Sequence, residues 1–99
     1  MKVYELGHGR AGDKGDTSNI SVIAYDEASW QVLMARLTEQ RVKEAFDPIV
    51  RGEVKRYVVP KLRALNFVLA GALWGGVTRS LAQDAHGKSL STLMMDIEL

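Results

Sequence analysis

Cysteine is absent from this 99-residue chain. Disulfides, thiolate nucleophiles, zinc–thiolate sites and iron–sulfur clusters are therefore excluded. Histidine is scarce: His8 and His86 are the two, so a metal centre with three protein histidines is excluded as well. Charge of one sign is not in excess. Thirteen Lys and Arg stand against twelve Asp and Glu, a net charge of +1, which argues against nucleic acid or an anionic membrane as a partner. Long hydrophobic runs are missing too. The strongest apolar stretch, residues 62–77, carries Arg63 and Asn66 and falls short of the roughly 20 apolar residues that span a bilayer. Residues 1–7 lack the apolar core of a signal peptide, so a cytoplasmic protein is expected. What is present, 46% hydrophobic and 25% charged residues, describes an ordinary globule. At this length it is one domain, 1–99, able to bury roughly two-thirds of its unfolded surface.

β-Formers over residues 2–7 predict a first strand. Four glycines between Gly7 and Gly15, interleaved with charges, predict a long loop from Gly7 to Asn19. Ile20 to Tyr25 is short, apolar and β-branched, and reads as a buried strand. Asp26 is placed to cap a helix from Glu27, with Trp30, Leu33, Met34 and Leu37 at helical spacing. The period then breaks, predicting an interruption near Thr38 and a second helical segment, Glu39 to Phe46. Glu53 to Val59 reads as a strand with one polar face, stopped by Pro60. Leu62, Leu65, Leu69 and Leu73 form a helical stripe ended by Gly71, Gly75 and Gly76. Residues 77–83 suggest a short strand, residues 84–88 a turn, and Ser89 to about Met95 a helix with an extended end. The order β-β-α-β-α-β-α predicts a two-layer α+β sandwich: a four-stranded mixed sheet with its helices on one face.

Chemistry is best placed in the Gly7–Asn19 loop. Amides freed by glycine line anion sites, and Arg10 and Lys14 add positive charge. Asp13 and Asp16, three apart, suit an acid/base pair or oxygen ligands for a metal. The loop departs from known phosphate and calcium loops. Lys14 follows Gly12-Asp13, which is no Walker pattern, and Ala24 occupies the twelfth position where an EF-hand needs an acid. Gly7-x-Gly9-x-x-Gly12 matches the dinucleotide fingerprint, but Gly15, Thr17 and Asn19 forbid the helix that must follow. The same composition serves a solvated turn whose Asp and Asn side chains cap their own backbone. A second stretch, Gly75-Gly76-Val77-Thr78-Arg79-Ser80, combines amides, hydroxyls and a guanidinium suited to a carboxylate or phosphate; it also reads as a plain helix stop. Asn66 lies inside an apolar segment, where it meets either a backbone group or a substrate.

Together, Gly9-Arg10-Ala11-Gly12-Asp13-Lys14-Gly15-Asp16, Asn19-Ile20, Leu37-Thr38, Val50-Arg51-Gly52-Glu53-Val54, Tyr57, Pro60, Leu62, Ala64-Leu65-Asn66-Phe67, Gly75-Gly76-Val77-Thr78-Arg79-Ser80-Leu81, Asp84-Ala85 and Gly87-Lys88 resemble the small ferredoxin-fold domain of AtuA-like proteins, over nearly the whole chain. The resemblance implies a ferredoxin-like sandwich and a setting in the breakdown of branched or terpenoid acids through coenzyme A thioesters. It implies a domain found at the carboxyl end of a larger acyclic-terpene-utilisation protein or as a separate chain, and this chain is expected to be the separate form. Arg10, Asp13, Lys14, Asp16, Asn19, Asn66, Thr78 and Arg79 match the family pattern.

Two roles follow. One is an accessory or site-completing subunit docking on a larger AtuA-like chain. The other is a hydratase- or lyase-like enzyme acting on an acyl-CoA, with Asp13 or Asp16 as base and Arg10, Lys14 or Arg79 holding a carboxylate or phosphate, Asn19, Asn66 and Thr78 completing the binding set. Length favours the first, because few residues remain for a pocket of several hundred Å³. The two glycine segments are expected to converge. No cofactor and no tightly bound transition metal are expected. The apolar tail, residues 90–99, predicts a two-fold dimer, with the larger AtuA-like chain docking on the same surface or an adjoining one; the same residues also read as completing the monomer core.

Overall fold

Alternation of small and large residues, rather than glycine content, decides the conformation of the first quarter of the chain. The computed structural model describes residues 1–14, 17–47, 52–70 and 90–99, with the backbone alone at positions 13, 14 and 90. The expected first strand is instead a short 3-10 turn, Val3–Glu5, and the expected glycine loop is a strand, β1 (Gly7–Lys14), paired antiparallel with β2 (Thr17–Ala24). Glycine fits here because of what packs above it. At Gly9 a Cβ would stand 2.9 Å from the Cε of Met95, and at Gly7 only 2.4 Å from the carbonyl oxygen of Ile23. The glycines are slots for close neighbours within a strand.

Helix α1 (Glu27–Arg36) starts where expected. The Asp26 carboxylate accepts the Ser29 N–H at 2.8 Å. The interruption near Thr38 is also present: α2 (Glu39–Phe46) begins with the Thr38 hydroxyl accepting the Arg41 N–H at 3.2 Å. β3 (Val54–Val59) follows, then a 3-10 turn, Pro60–Leu62, with Arg63 in the left-handed region at φ 50°.

The helix expected after Pro60 is replaced by β4 (Ala64–Ala70). Leu65, Phe67 and Leu69 are fully buried and alternate with half-buried Asn66, Val68 and Ala70, while Ala64 at the start is buried as well. β4 is a central strand, paired with β2 on one side and β3 on the other. Ladder bonds on both edges and a dry apolar face outweigh the leucine stripe that suggested a helix. The strand expected over residues 77–83 lies outside the described residues. The last helix, α3 (Leu90–Met95), matches the expected segment, and its extended end forms a bridge between Glu98 and Lys2.

The sheet order is β1-β2-β4-β3, and all three pairings are antiparallel. The expected mixed sheet is thus corrected in one respect: β2 and β3 run the same way across the α1–α2 crossover, but β4 lies between them. This is the split βαβ of ferredoxin-like folds. The two-layer α+β sandwich is as expected. β2-α1/α2-β3-β4-α3 follows the βαββα order, and β1, first in the chain, fills the edge beside β2 where that fold places its last strand.

Helices α1, α2 and α3 lie over one face, against β2, β3 and β1 respectively. The core between the layers includes Ile20, Val22, Leu33, Leu37, Val42, Phe46, Leu65, Phe67 and Leu69. Met94 and Ile97 are buried in it, and Leu93, Met95 and Leu99 pack against it. Met94 and Ile97 thus belong to the core of the monomer, while Leu93, Met95 and Leu99 remain half-buried at its margin. Residues 1–3 and 97–99 clasp each other. The Val3 N–H donates to Ile97 O at 3.0 Å, the Leu99 N–H to Met1 O at 2.8 Å and Lys2 Nζ to Asp96 O at 3.1 Å. The Met1 ammonium also pairs with the Glu98 carboxylate.

The glycine slots predict an order of tolerance. Gly7→Ala drives a Cβ into rigid backbone and should cost about 1–3 kcal/mol. Gly9→Ala meets the movable end of Met95 and should cost less. Gly12→Ala, 3.7 Å from Asn19 Oδ1, should stay within about 1 kcal/mol of wild type. Urea midpoints rank the three, and Gly12→Ala as the most damaging would contradict the packing described. A second expectation concerns acid. The Ser29 backbone N–H, and secondarily its side chain, hold the Asp26 carboxyl below the ordinary aspartate range. A depressed folded value means stability that is present above the unfolded value and is lost as pH falls through the folded one. Asp26→Asn should therefore flatten the acid limb of stability against pH, measured as urea midpoints from pH 6 to pH 3.

Candidate functional site

Strand alternation divides the sheet into two faces. The face away from the helices is built of rows of directly opposed residues. At one end stand His8, Ile23, Ala64 and Val59; next come Arg10, Ser21, Asn66 and Tyr57; then Gly12, Asn19, Val68 and Lys55; and last the positions Lys14, Thr17 and Ala70. The second row crosses all four strands with a guanidinium, a hydroxyl, a carboxamide and a phenol. With strands about 4.8 Å apart, it spans about 14 Å.

The geometry makes this row donor-rich. The Ser21 hydroxyl donates to Asn66 Oδ1 at 3.1 Å. That bond fixes the carboxamide by its oxygen and leaves the Nδ2 hydrogens to point elsewhere. Arg10 is exposed and has no ion pair among the described residues. Tyr57 is 51% exposed at the far end. Asn19, one row on, is exposed beside Gly12. Lys55 is exposed as well, but the Glu53 carboxylate lies 3.8 Å from its ammonium. At the other end the His8 ring stacks on Tyr25, with centroids 5.9 Å apart and planes at 30°. The first three rows include no carboxylate; Glu53, whose carbonyl accepts the Ala70 N–H at the end of the fourth, brings one to Lys55. Directed N–H and O–H donors of this kind match the chemistry of a negative group.

The sequence-selected residues divide accordingly. Arg10, Asn19 and Asn66 share the open face, with Arg10 and Asn66 in one row. Lys14 occupies the hairpin end of β1 opposite Thr17, and Asp13 stands opposite the buried Ser18. Asp16, Thr78 and Arg79 lie outside the described residues, as does the expected meeting of the two glycine segments. Ser21 and Tyr57 were not selected. The polar face of β3 signalled Tyr57, but its pairing with Asn66 was illegible while β4 read as a helix. Shallow grooves lie elsewhere among the described residues, one of them against Tyr4, Thr92 and Met95. Another, of about 380 Å³, runs between α2 and β3 along Glu39, Lys43 and Glu53. A third, of about 420 Å³, runs between α2 and α3 along Arg41, Glu44 and Asp96. Among the described residues no three His, Asp or Glu side chains gather as metal ligands, and no helix is long and apolar enough to cross a membrane.

The Ser21–Asn66 bond is testable on its own. A double-mutant cycle with Ser21→Ala and Asn66→Ala should return a coupling of about 0.5–1.5 kcal/mol in folding stability. Additive effects would mean that the two side chains act separately.

No curated protein and no solved structure matches the chain. The family model of the AtuA ferredoxin-like domain, in contrast, matches residues 1–99, from one end to the other. With the split βαβ sheet and the Arg10–Asn66 row in place, the chain belongs to the AtuA ferredoxin-like domain family.

Proposed function

We propose that this domain is a site-completing subunit of a larger AtuA-like protein that acts on branched or terpenoid acids or their CoA thioesters, its open sheet face forming one wall of the site. The observation that carries the reading is the row Arg10–Ser21–Asn66–Tyr57 on a face to which none of α1, α2 and α3 is applied. Among the described residues the face is a floor without walls, whereas binding sites enclose most of their ligand. A second chain seated over the floor supplies the enclosure, and the donors then act in a drier medium where each is stronger.

The test is reconstitution. The larger AtuA-like chain from the same host is assayed on branched acyl-CoA thioesters and free acids, with and without this domain. Activity should depend on the domain. Arg10→Ala should lower kcat/KM by about 10–100-fold, the loss of one charge-assisted hydrogen bond. Unchanged activity without the domain, or with Arg10→Ala, would overturn the reading. Turnover by the domain alone would instead support a stand-alone hydratase or lyase.

A further inference from the structure

Two backbone bonds fix which way β3 points its polar groups. The Glu53 carbonyl accepts the Ala70 N–H and therefore points inward, to β4, whereas the Arg56 N–H donates to Glu39 Oε2 and therefore points outward. Alternation along the strand then turns the N–H and C=O of Lys55, Tyr57 and Val59 to β4, and those of Val54, Arg56 and Val58 to the outer edge. On that edge Val58 makes no bond among the described residues. The edge also borders open space. The groove of about 380 Å³ between α2 and β3 runs beside Val54 and Lys55. Tyr57 is 51% exposed, and Val58, whose side chain faces the helical layer by parity, is still 40% exposed.

Such an edge is a template for another strand. Val54–Val59 reads Val-Lys-Arg-Tyr-Val-Val, rich in β-formers and without a proline to stop pairing. In its middle one polar group is already taken. Glu39 Oε2 lies 2.7 Å from the Arg56 nitrogen, where the carbonyl oxygen of an added strand would sit, so the carboxylate competes with any incoming strand. A second copy of β3 is complementary to the first. In an antiparallel pair with its two-fold axis at Tyr57, Arg56 stands opposite Val58 of the second copy, and each such pair exchanges two backbone bonds. Lys55 then faces Val59 of the second copy, the two Tyr57 rings face each other, and no two like charges are opposed.

We infer that the outer edge of β3 is a pairing surface for a second copy of this chain, and that Glu39 holds it closed in the monomer. The contact is autoinhibitory. In each copy the Arg56 N–H must leave Glu39 before it can donate to the Val58 carbonyl of the second copy, so two charge-assisted bonds are given up for each dimer formed. Pairing joins the two four-stranded sheets edge to edge. It puts the helices of both copies on one side and the two donor rows end to end, meeting at Tyr57.

The experiment compares the full 99-residue chain, ¹⁵N-labelled, with Glu39→Ala by sedimentation equilibrium and by amide hydrogen exchange over a range of concentrations. Glu39→Ala should dimerise about ten- to hundredfold more tightly than wild type, the effect of removing two competing hydrogen bonds. In dilute Glu39→Ala the Arg56 amide should exchange faster than in wild type, and the Arg56 and Val58 amides should both slow as concentration rises. Glu39→Ser, too short to reach Arg56 and well suited to a helix start, is the second variant and should behave alike. Tyr57→Lys added to either sets two ammonium groups against each other across the axis and should restore the monomer. Unshifted amides of β4 and the helical layer show that a variant is folded. A folded Glu39→Ala or Glu39→Ser as monomeric as wild type would overturn the inference. So would association that leaves the Arg56 and Val58 amides exchanging freely or that survives Tyr57→Lys. A Val58 amide protected in dilute wild type would overturn it too, because the edge would then be covered within the monomer.

Discussion

One guanidinium holds the two halves of the helical layer to the sheet. Arg56 sits on β3 and extends towards the helices rather than into solvent. Its Nη1 donates to the carbonyl oxygens of Met34 and Leu37, both at 3.0 Å, and its own backbone N–H donates to Glu39 Oε2 at 2.7 Å. The last carbonyls of α1 have no helical partner, and leaving them dry and unpaired is costly. Arg56 answers them from a neighbouring element, so the chain can break at Thr38 and redirect from above β2 to above β3. That placement of β3 at the far edge opens the gap that β4 fills. With β4 central, Asn66 comes to lie beside Ser21, and the donor row exists. The chemistry on one face of the sheet thus depends on a clamp on the other.

The two faces answer to different demands. Towards the helices, Ile20, Val22, Leu65, Phe67 and Leu69 are dry, and volume and shape govern each position. On the other face the sheet carries Arg10, Asn19 and Tyr57, which are exposed, and Ser21 and Asn66, which are half-buried and satisfy each other. Period-two alternation lets one strand serve both without compromise. Asn66, between buried Leu65 and Phe67, is polar because it faces away from them.

What could be read from the sequence alone was local. Asp26 and Thr38 announce their helices because a cap is a contact between residues three apart. The motifs shared with the family reach further: they carry the sandwich architecture and bring Arg10, Asn19 and Asn66 into view as a set. What failed was non-local. Leu62, Leu65, Leu69 and Leu73 satisfy a helical period as well as Leu65, Phe67 and Leu69 satisfy a strand period. The choice is made by β2 and β3, more than forty and about ten residues away respectively. The glycines of β1 misled for a similar reason. Glycine in isolation reads as freedom, but Gly9 is small because Met95, from the other end of the chain, needs the room.

The clasp between residues 1–3 and 97–99 has a consequence for tethering. Both chain ends leave the domain at one corner, where α3 meets the start of β1. A partner joined to residue 1 and a partner joined to residue 99 would therefore swing about the same pivot. A linker from either end converts docking into an intramolecular event, at an effective concentration near the millimolar range for short flexible linkers. Covalent fusion in either order would then alter how often two surfaces meet rather than which surfaces are available.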